Sequence, residues 1–372
     1  MKIILASNNF NNLLNFRKKL IQTLVKKNYQ VYLLAPKDKF INKINSINCK
    51  FVSINFYSHS KSIVANIKLI LDYFFIIKKI KPDYFISFTI KPNILGSFVS
   101  NLLKIKTINT ISGLGSSYIN NFFLRKLTFL FYKLSLFKSQ KIFFHNKYDL
   151  SIFLRSNIVK KKQAEIISGS GVNINIKKKK NYNIRKNSFI FIGRLIKDKG
   201  INEYINLARY FKFKLKKNFN FYIVGQLDKN NPLSIKSEFL NYLHKTKVIK
   251  FLGSVDNISK IIDLASCVVL PSYREGLSRT LLECALYKKF IITTDVPGCK
   301  DIIKNNINGL LCKPCNNYSL IKAVEKYVNL PKKKIYKMIS VNYRKVRNEY
   351  NEDDVVAKYL NEIKYASIKA FL

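Results

Sequence analysis

Glu275 and Glu283 stand eight positions apart in the run Pro271-Ser-Tyr-Arg-Glu-Gly-Leu-Ser-Arg-Thr-Leu-Leu-Glu283. The apolar stretch Cys267-Val-Val-Leu270 predicts a buried strand, Ser272 to Ser278 a loop, and Arg279 to Lys288 a helix with Leu281, Leu282, Ala285 and Leu286 inward. The two carboxylates therefore bracket a helix start at the carboxyl end of a strand. Free backbone N–H groups there can meet an anion, and the flanking carboxylates can accept protons from sugar or ribose hydroxyls. A second run, Phe189-Ile-Phe-Ile-Gly-Arg-Leu-Ile-Lys-Asp-Lys-Gly200, places Arg194 and Lys199 after another predicted strand. Two cations in that position can neutralise a diphosphate leaving group. A solvated basic loop is the competing reading in so lysine-rich a chain. Gly193 and Gly200 favour the functional one, because a phosphate needs close backbone approach. Phosphate on one side and sugar hydroxyls on the other is the chemistry of a nucleotide sugar.

Other motifs are weaker. Ser112-Gly-Leu-Gly-Ser-Ser-Tyr118 follows a strand and could form a backbone nest for an anion, but it lacks the third glycine of a dinucleotide fingerprint and the lysine of a P-loop. Ser168-Gly-Ser-Gly-Val-Asn173 fits a hinge or tight turn equally well. Cys312-Lys-Pro-Cys315 is a lone CxxC without a second pair, and His59, His145 and His244 have no ligand or triad spacing. The six cysteines read as reduced thiols. No cofactor and no metal are expected.

The elements that must position these residues alternate. In the first half, strands are expected at 2–6, 30–35, 83–89, 107–111 and 141–145, and helices at 15–27, 61–79, 93–103 and 124–136. That rhythm implies right-handed β-α-β units in a parallel sheet. Asn173 to Asn187 is polar and basic, the character of a linker. Strands then resume at 188–192, 219–224, 248–251, 267–270 and 290–293. The fold class is α/β, with two Rossmann-like, doubly wound parallel-sheet domains at 1–173 and 174–350. In the remaining segment, 351–372, apolar residues at 355, 356, 359, 360 and 363 define a helix face that could pack back on the first domain.

Length and composition agree with two globular domains: 372 residues, 48% hydrophobic and 24% charged. The outlier is charge, with 67 Lys and Arg against 21 acids and a formal +46. This suits an anionic membrane surface or nucleic acid, but the accompanying Ile, Asn, Phe and Tyr are also what AT-rich codons yield. No apolar stretch of spanning length is free of charge, and the first residues run directly into a strand, so a cytoplasmic protein is expected. Residues 120–138 mix aromatics with lysines. They suit an interfacial helix, or a core helix with snorkelling lysines, and Lys18, Lys19, Lys26 and Lys27 could extend a membrane-facing patch.

Taken together, Gly193-Arg194-Leu195…Lys199-Gly200, Glu275-x7-Glu283, Asp295-Val-Pro-Gly298 and Asn308-Gly309 resemble the retaining GT-B glycosyltransferases of family 4, over nearly the whole chain. The resemblance implies two domains facing a central cleft, with acceptor on the first and nucleotide sugar on the second. It assigns Arg194 and Lys199 to the donor diphosphate, Glu275 to donor-sugar hydroxyls and Glu283 to the ribose. Arg194, Lys199 and Glu275 would be catalytic, with Gly193 and the backbone of Gly276, Leu277 and Ser278 also at the donor. Asn15-Phe-Arg17, Thr89-Ile-Lys-Pro-Asn-Ile-Leu-Gly96, Thr110-Ile-Ser-Gly-Leu-Gly115 and Phe143-Phe-His-Asn146 resemble a branch that extends glycans on undecaprenyl diphosphate. The acceptor-side candidates are thus Asn15, Arg17, Lys91, Ser112, Gly113 and Gly115. The implied partners are a UDP-sugar, a lipid-linked or glycan acceptor and the inner face of the membrane, with no nucleic acid. Two departures bear on the acceptor side: Ser112 or Gly113 stands where many members carry a His, and Ser7-Asn-Asn-Phe-Asn-Asn12 replaces a glycine pair. A UDP-sugar 2-epimerase of similar shape and a basic nucleic-acid-binding protein are the competing readings.

Overall fold

A computed structural model describes residues 1–38, 41–42, 48–55, 62–114, 122–175, 184, 186–228, 231–255 and 258–368. Gly115, His59 and most of the basic linker (176–183 and 185) lie outside the described residues. The chain divides into two units, Met1–Gly171 with Glu352–Leu372, and Val172–Asn351.

Unit 1 runs β1 (Lys2–Ala6), α1 (Phe10–Lys26), β2 (Gln30–Ala35), β3 (Lys50–Ser53), α2 (Ile63–Ile80), β4 (Tyr84–Ser87), a π turn (Pro92–Gly96) into α3 (Ser97–Leu102), and β5 (Lys106–Ile111). It continues with α4 (Phe122–Leu136), β6 (Lys141–Phe144), α5 (Lys147–Arg155) and β7 (Ala164–Ile166). The strands form one sheet in the order β3-β2-β1-β4-β5-β6-β7, with every pair parallel. Alternation along each strand sends side chains to opposite faces. Ile3, Leu5 and Leu33 meet α1, while Ile4, Ala6 and Leu34 meet α2 and α3. Ile142 and Phe144 meet α4 and α5 on that second face.

The first helix begins at Phe10 rather than Asn15. Its asparagine-rich lead reads as loop by composition, yet the Asn9 side chain accepts from the Asn12 N–H at 2.8 Å. A cap of that kind offsets poor propensity in the first turn, and Phe10, Leu13 and Leu14 supply the buried face. The expected helix at 93–103 opens as the π turn. Gly96 lies against the Phe85 ring, where a Cβ would collide, and a buried polar network holds the segment to the sheet. Asn109 Nδ2 donates to Ser87 Oγ (2.8 Å) and Ser97 Oγ (2.6 Å), Ser87 Oγ donates to Asn93 Oδ1 (2.6 Å), and Asn93 Nδ2 to the Thr110 carbonyl (2.9 Å).

Unit 2 runs β8 (Ser188–Ile192), α6 (Ile201–Arg209), β9 (Asn220–Val224), α7 (Ser237–Lys245), β10 (Lys250–Phe251), β11 (Cys267–Leu270), α8 (Arg279–Leu286), β12 (Phe290–Thr294) and β13 (Leu310–Cys312). The helices α9 (Asn317–Asn329) and α10 (Lys332–Glu349) follow. Its sheet order is β10-β9-β8-β11-β12-β13, again parallel throughout. Strand order reverses between β8 and β11, the switch point at which open α/β sheets bind ligands.

The last helix, α11 (Glu352–Ile368), belongs to unit 1. Val355, Val356, Tyr359 and Ile363 are buried beside α1, and Leu360 packs at the edge. Each such burial contributes about 1.5–3 kcal/mol. Tyr359 packs on Phe143 (ring centroids 4.8 Å apart), and its hydroxyl lies 2.6 Å from Thr110 Oγ1. Lys141 bridges Glu165 (2.7 Å) and Glu362 (3.1 Å), and Lys358 pairs with Glu165 at 2.9 Å. Tyr359→Phe keeps the ring and leaves the Thr110 hydroxyl without that partner. We expect it to lower unit 1 stability by about 1 kcal/mol, read as a reduced urea midpoint with an unchanged slope.

Candidate functional site

Three loops at the carboxyl ends of β8, β11 and β12 build the site in unit 2. The first leaves β8 at Gly193, whose N–H donates to the Val224 carbonyl at 3.1 Å, and Gly225 lies so close that a Cβ there would meet the Gly193 carbonyl. Leu195 and Ile196 are buried and anchor the loop, while Arg194 between them and Gly193 points to solvent. A short 3₁₀ turn, Lys197–Lys199, ends on Gly200 at φ +74°. A Cβ at Gly200 would run into the Pro271 carbonyl. Glycine is therefore required twice over, by conformation and by contact.

The second loop, after β11, docks on the first through its backbone. The Tyr273 N–H and the Ser272 hydroxyl both donate to the Asp198 carbonyl, at 2.9 and 3.1 Å. Lys199 Nζ then reaches Glu275 Oε1 at 2.5 Å, with side-chain exposures of 19% and 10%. Such a half-buried pair is screened less than a surface one. The third loop follows β12. Gly298, at φ +80°, lies against the carbonyls of Glu275 and Gly276, and a Cβ added to it would stand 2.6 Å from the Glu275 oxygen. Asp301 fixes this glycine by accepting from its N–H at 2.9 Å. Beneath them the buried Cys299 thiol is pushed up to about 12, first by burial and then by the nearby Glu275 charge, so it stays a neutral packing group.

The helix α8 starts at Arg279 with Ser278 as its N-cap, and the Ser278 side chain makes no capping hydrogen bond. A helix start of this kind can turn backbone N–H groups toward an anion. Glu283, one turn further on, pairs with Arg279 (Nε to Oε1, 2.7 Å).

The structure therefore brings Gly193, Lys199, Glu275, Gly276 and the start of α8 into one set of touching loops. Among the described residues the Arg194 guanidinium makes no hydrogen bond or ion pair, while the Arg194 carbonyl accepts from the Ile196 N–H at 2.9 Å. Lys199 and Glu275, expected on separate phosphate and sugar sides, contact each other directly. The Ser278 N–H, expected to face a donor, donates to the Gly298 carbonyl at 3.4 Å, and Leu277 packs its side chain on the core. Sequence reasoning missed Gly225, the packing duty of Gly298 and the Arg279–Glu283 pair. The i,i+4 spacing of that pair was a usable signal.

The acceptor-side candidates in unit 1 are dispersed. Lys91, Ser112 and Gly113 stand at the carboxyl ends of β4 and β5; Ser112 Oγ donates to the Phe88 carbonyl at 3.2 Å, and Gly113 has φ +135°. Burial lowers the Lys91 pKa. Asn15 is exposed on α1 and bonds to Asn11. Arg17 is 4% exposed, its guanidinium 4.4 Å over the Phe88 ring, so it packs under α1 and not at a surface. His145, beside it, is held neutral down to about pH 3 by burial and by the Arg17 charge.

Residues 2–146 match the family described as glycosyl transferase 4-like, and residues 172–346 match glycosyl transferases group 1. The chain is 27% identical over 367 residues to the N,N'-diacetylbacillosaminyl-diphospho-undecaprenol alpha-1,3-N-acetylgalactosaminyltransferase of Campylobacter jejuni, covering 93% of this chain and 94% of that protein. It is 25% identical over 321 residues to the UDP-Gal:alpha-D-GlcNAc-diphosphoundecaprenol alpha-1,3-galactosyltransferase of Escherichia coli (82% and 79% covered). The structure of Anabaena HepE in complex with UDP and glucose superposes with a TM-score of 0.77 at 14% identity, covering 98% and 100% of the two chains. Two parallel-sheet α/β units with a loop-built site at a switch point define a GT-B fold. The protein is a glycosyltransferase, with a glycosyl transferase 4-like domain over residues 2–146 and a glycosyl transferases group 1 domain over residues 172–346.

Gly200→Ala tests the loop frame. Its Cβ must displace the Pro271 backbone, and we expect a loss of at least about 1 kcal/mol, seen as a lower Tm and a weakened Lys199–Glu275 contact.

Proposed function

We propose that the protein moves a hexose or N-acetylhexosamine, with retention of configuration, from a UDP-sugar to an undecaprenyl-diphosphate-linked glycan during surface-polysaccharide assembly. The observation that carries this reading is the Lys199–Glu275 pair, held between two positive-φ glycines at the switch point. The relatives whose names include a diphospho-undecaprenol acceptor support the acceptor class, and the UDP-bound neighbour supports the donor.

In this reading the diphosphate lies over Gly193 and the start of α8, neutralised by Arg194 and Lys199 as charge develops on the leaving oxygen. Lys199 has three donors. It can keep Glu275 and still reach a phosphate oxygen, so one ammonium couples the phosphate side of the donor to its sugar side. Glu275 Oε2 then accepts from a sugar hydroxyl. Glu283 receives the ribose, for which its carboxylate must share or leave Arg279. The acceptor hydroxyl attacks on the face the diphosphate leaves, the departing phosphate takes its proton, and no metal takes part. Unit 1, with Lys91, Ser112 and Gly113, takes the acceptor.

The direct test offers purified protein a panel of UDP-sugars with lipid-diphosphate glycans. Transfer with retained anomeric configuration, undiminished by EDTA, is the expected result. Conversion of the UDP-sugar without acceptor would indicate an epimerase instead.

Arg194→Ala should lower kcat by about 10²–10³-fold while UDP affinity changes far less, since its contact strengthens as the leaving group gains charge. Full transfer by this variant would remove Arg194 from the mechanism.

A further inference from the structure

Unit 1 carries an apolar surface that its own core does not use. On α2, Ile63, Ile67, Leu71 and Phe75 recur every four residues, with Ile63 76% and Phe75 65% exposed, while Leu69, Tyr73 and Ile77 on the other side fill the core. On α4, Leu127, Leu130, Phe131 and Leu134 form a second outward stripe, and Tyr132 and Leu136 face inward. Between them lies α3, packed against both and exposing Phe98 and Leu102. Three neighbouring helices thus present apolar residues to solvent on one sheet face, which exceeds the scattered exposure expected of a monomer.

Charge decides what covers this face. Lys68, Lys78, Lys79, Lys104, Lys126 and Lys133 are exposed on or beside it, and Asp72 is the only acid on the three helices. Lys126 and Arg125 sit over the Phe122 ring at 4.6 and 5.0 Å, cations beside an exposed aromatic. Where α4 ends, Lys133, Lys160 and Lys161 line a pocket together with Phe137, Leu154 and Ile158. A second copy would bring two like-charged faces together, which Coulomb repulsion opposes. No helix among the described residues is long and apolar enough to cross a membrane.

We propose that α2, α3 and α4 form the surface by which unit 1 lies on an anionic lipid bilayer, its leucines and phenylalanines entering the headgroup boundary and its lysines meeting lipid phosphates. The lysines of α1 do not belong to this surface. They lie on the opposite sheet face with α11, where Lys19 pairs with Asp353 at 2.9 Å. That corrects the expectation of one patch joining both helices. The inference stands on exposure and charge, whatever sugar or acceptor the enzyme uses.

Vesicle flotation of the whole protein tests it without assaying activity. Binding to phosphatidylglycerol-containing vesicles and much weaker binding to pure phosphatidylcholine are expected. The pairs Leu71→Glu with Phe75→Glu, and Leu130→Glu with Leu134→Glu, should each cut partitioning roughly tenfold. Reversing Lys18 and Lys26 on α1 should cut it less than about twofold. These side chains are exposed, and an unchanged melting curve verifies folding. Failure to float with either vesicle, equal loss in the α1 variant, or concentration-dependent dimerisation abolished by the glutamate pairs would overturn the proposal.

Discussion

Backbone contact between loops is the constraint on which the rest of unit 2 depends. Gly200 lies against the Pro271 carbonyl, Gly298 against the carbonyls of Glu275 and Gly276, and Gly225 against that of Gly193. None of these contacts can admit a Cβ, and Gly200 and Gly298 also hold φ values that L side chains resist. Four strand ends separated in sequence, those of β8, β9, β11 and β12, are thereby drawn to van der Waals contact around the point where strand order reverses. Side-chain chemistry follows from that closure. With the loops further apart, a lysine beyond the end of β8 and a glutamate beyond the end of β11 would each be solvated alone.

The close pairing of Lys199 with Glu275 sets the local electrostatics of these loops. Half-buried carboxylate and ammonium each lose hydration, and their mutual attraction offsets that loss. The Lys199 ammonium orients the carboxylate through that contact. Preorganisation of this kind lowers the reorganisation needed when charge moves. Arg194 is the complement: its side chain is exposed, and among the described residues its guanidinium has no hydrogen-bond or ion-pair partner.

The sheets and the loops that follow β8 and β11 were legible in the sequence because their signals are local. Continuous apolar runs such as 188–192 and 267–270 read as strands buried on both faces, and glycines beside cations mark close approach. The short edge strands β3, β7 and β13 were not seen, since three or four residues give no period to read. The start of α1 was hidden by an Asn-rich lead whose capping role depends on one side-chain angle. Arg17 is the instructive miss among the site residues. An arginine beside Asn15 reads as a surface cation, but helix periodicity puts it with Leu13, Leu20 and Leu24 on the inward face, and cation–π contact with Phe88 makes that burial tolerable. No sequence signal for Phe88 as its partner exists, because the two meet only through the sheet.

With 21 acids against 67 bases, carboxylates are the scarce partner in this chain, and their positions carry information that the lysines do not. Glu165, Glu362 and Asp353 join α11 to the body of unit 1, Asp263 neutralises the buried Lys289, and Glu275 and Glu283 occupy the site. Lys300 and Lys322 also pair with Asp295 and Glu325, and Lys186 and Lys345 donate to backbone carbonyls. Net charge of this size repels the compact state from itself and favours any anionic surface nearby, so a diffuse positive field alone would orient the molecule weakly. Direction comes from the apolar helices of one face of unit 1. The opposite face has its own lysines, but there α11 buries Val355, Val356, Tyr359 and Ile363 against α1, and among the described residues of α1 only Phe16 is an exposed large hydrophobic.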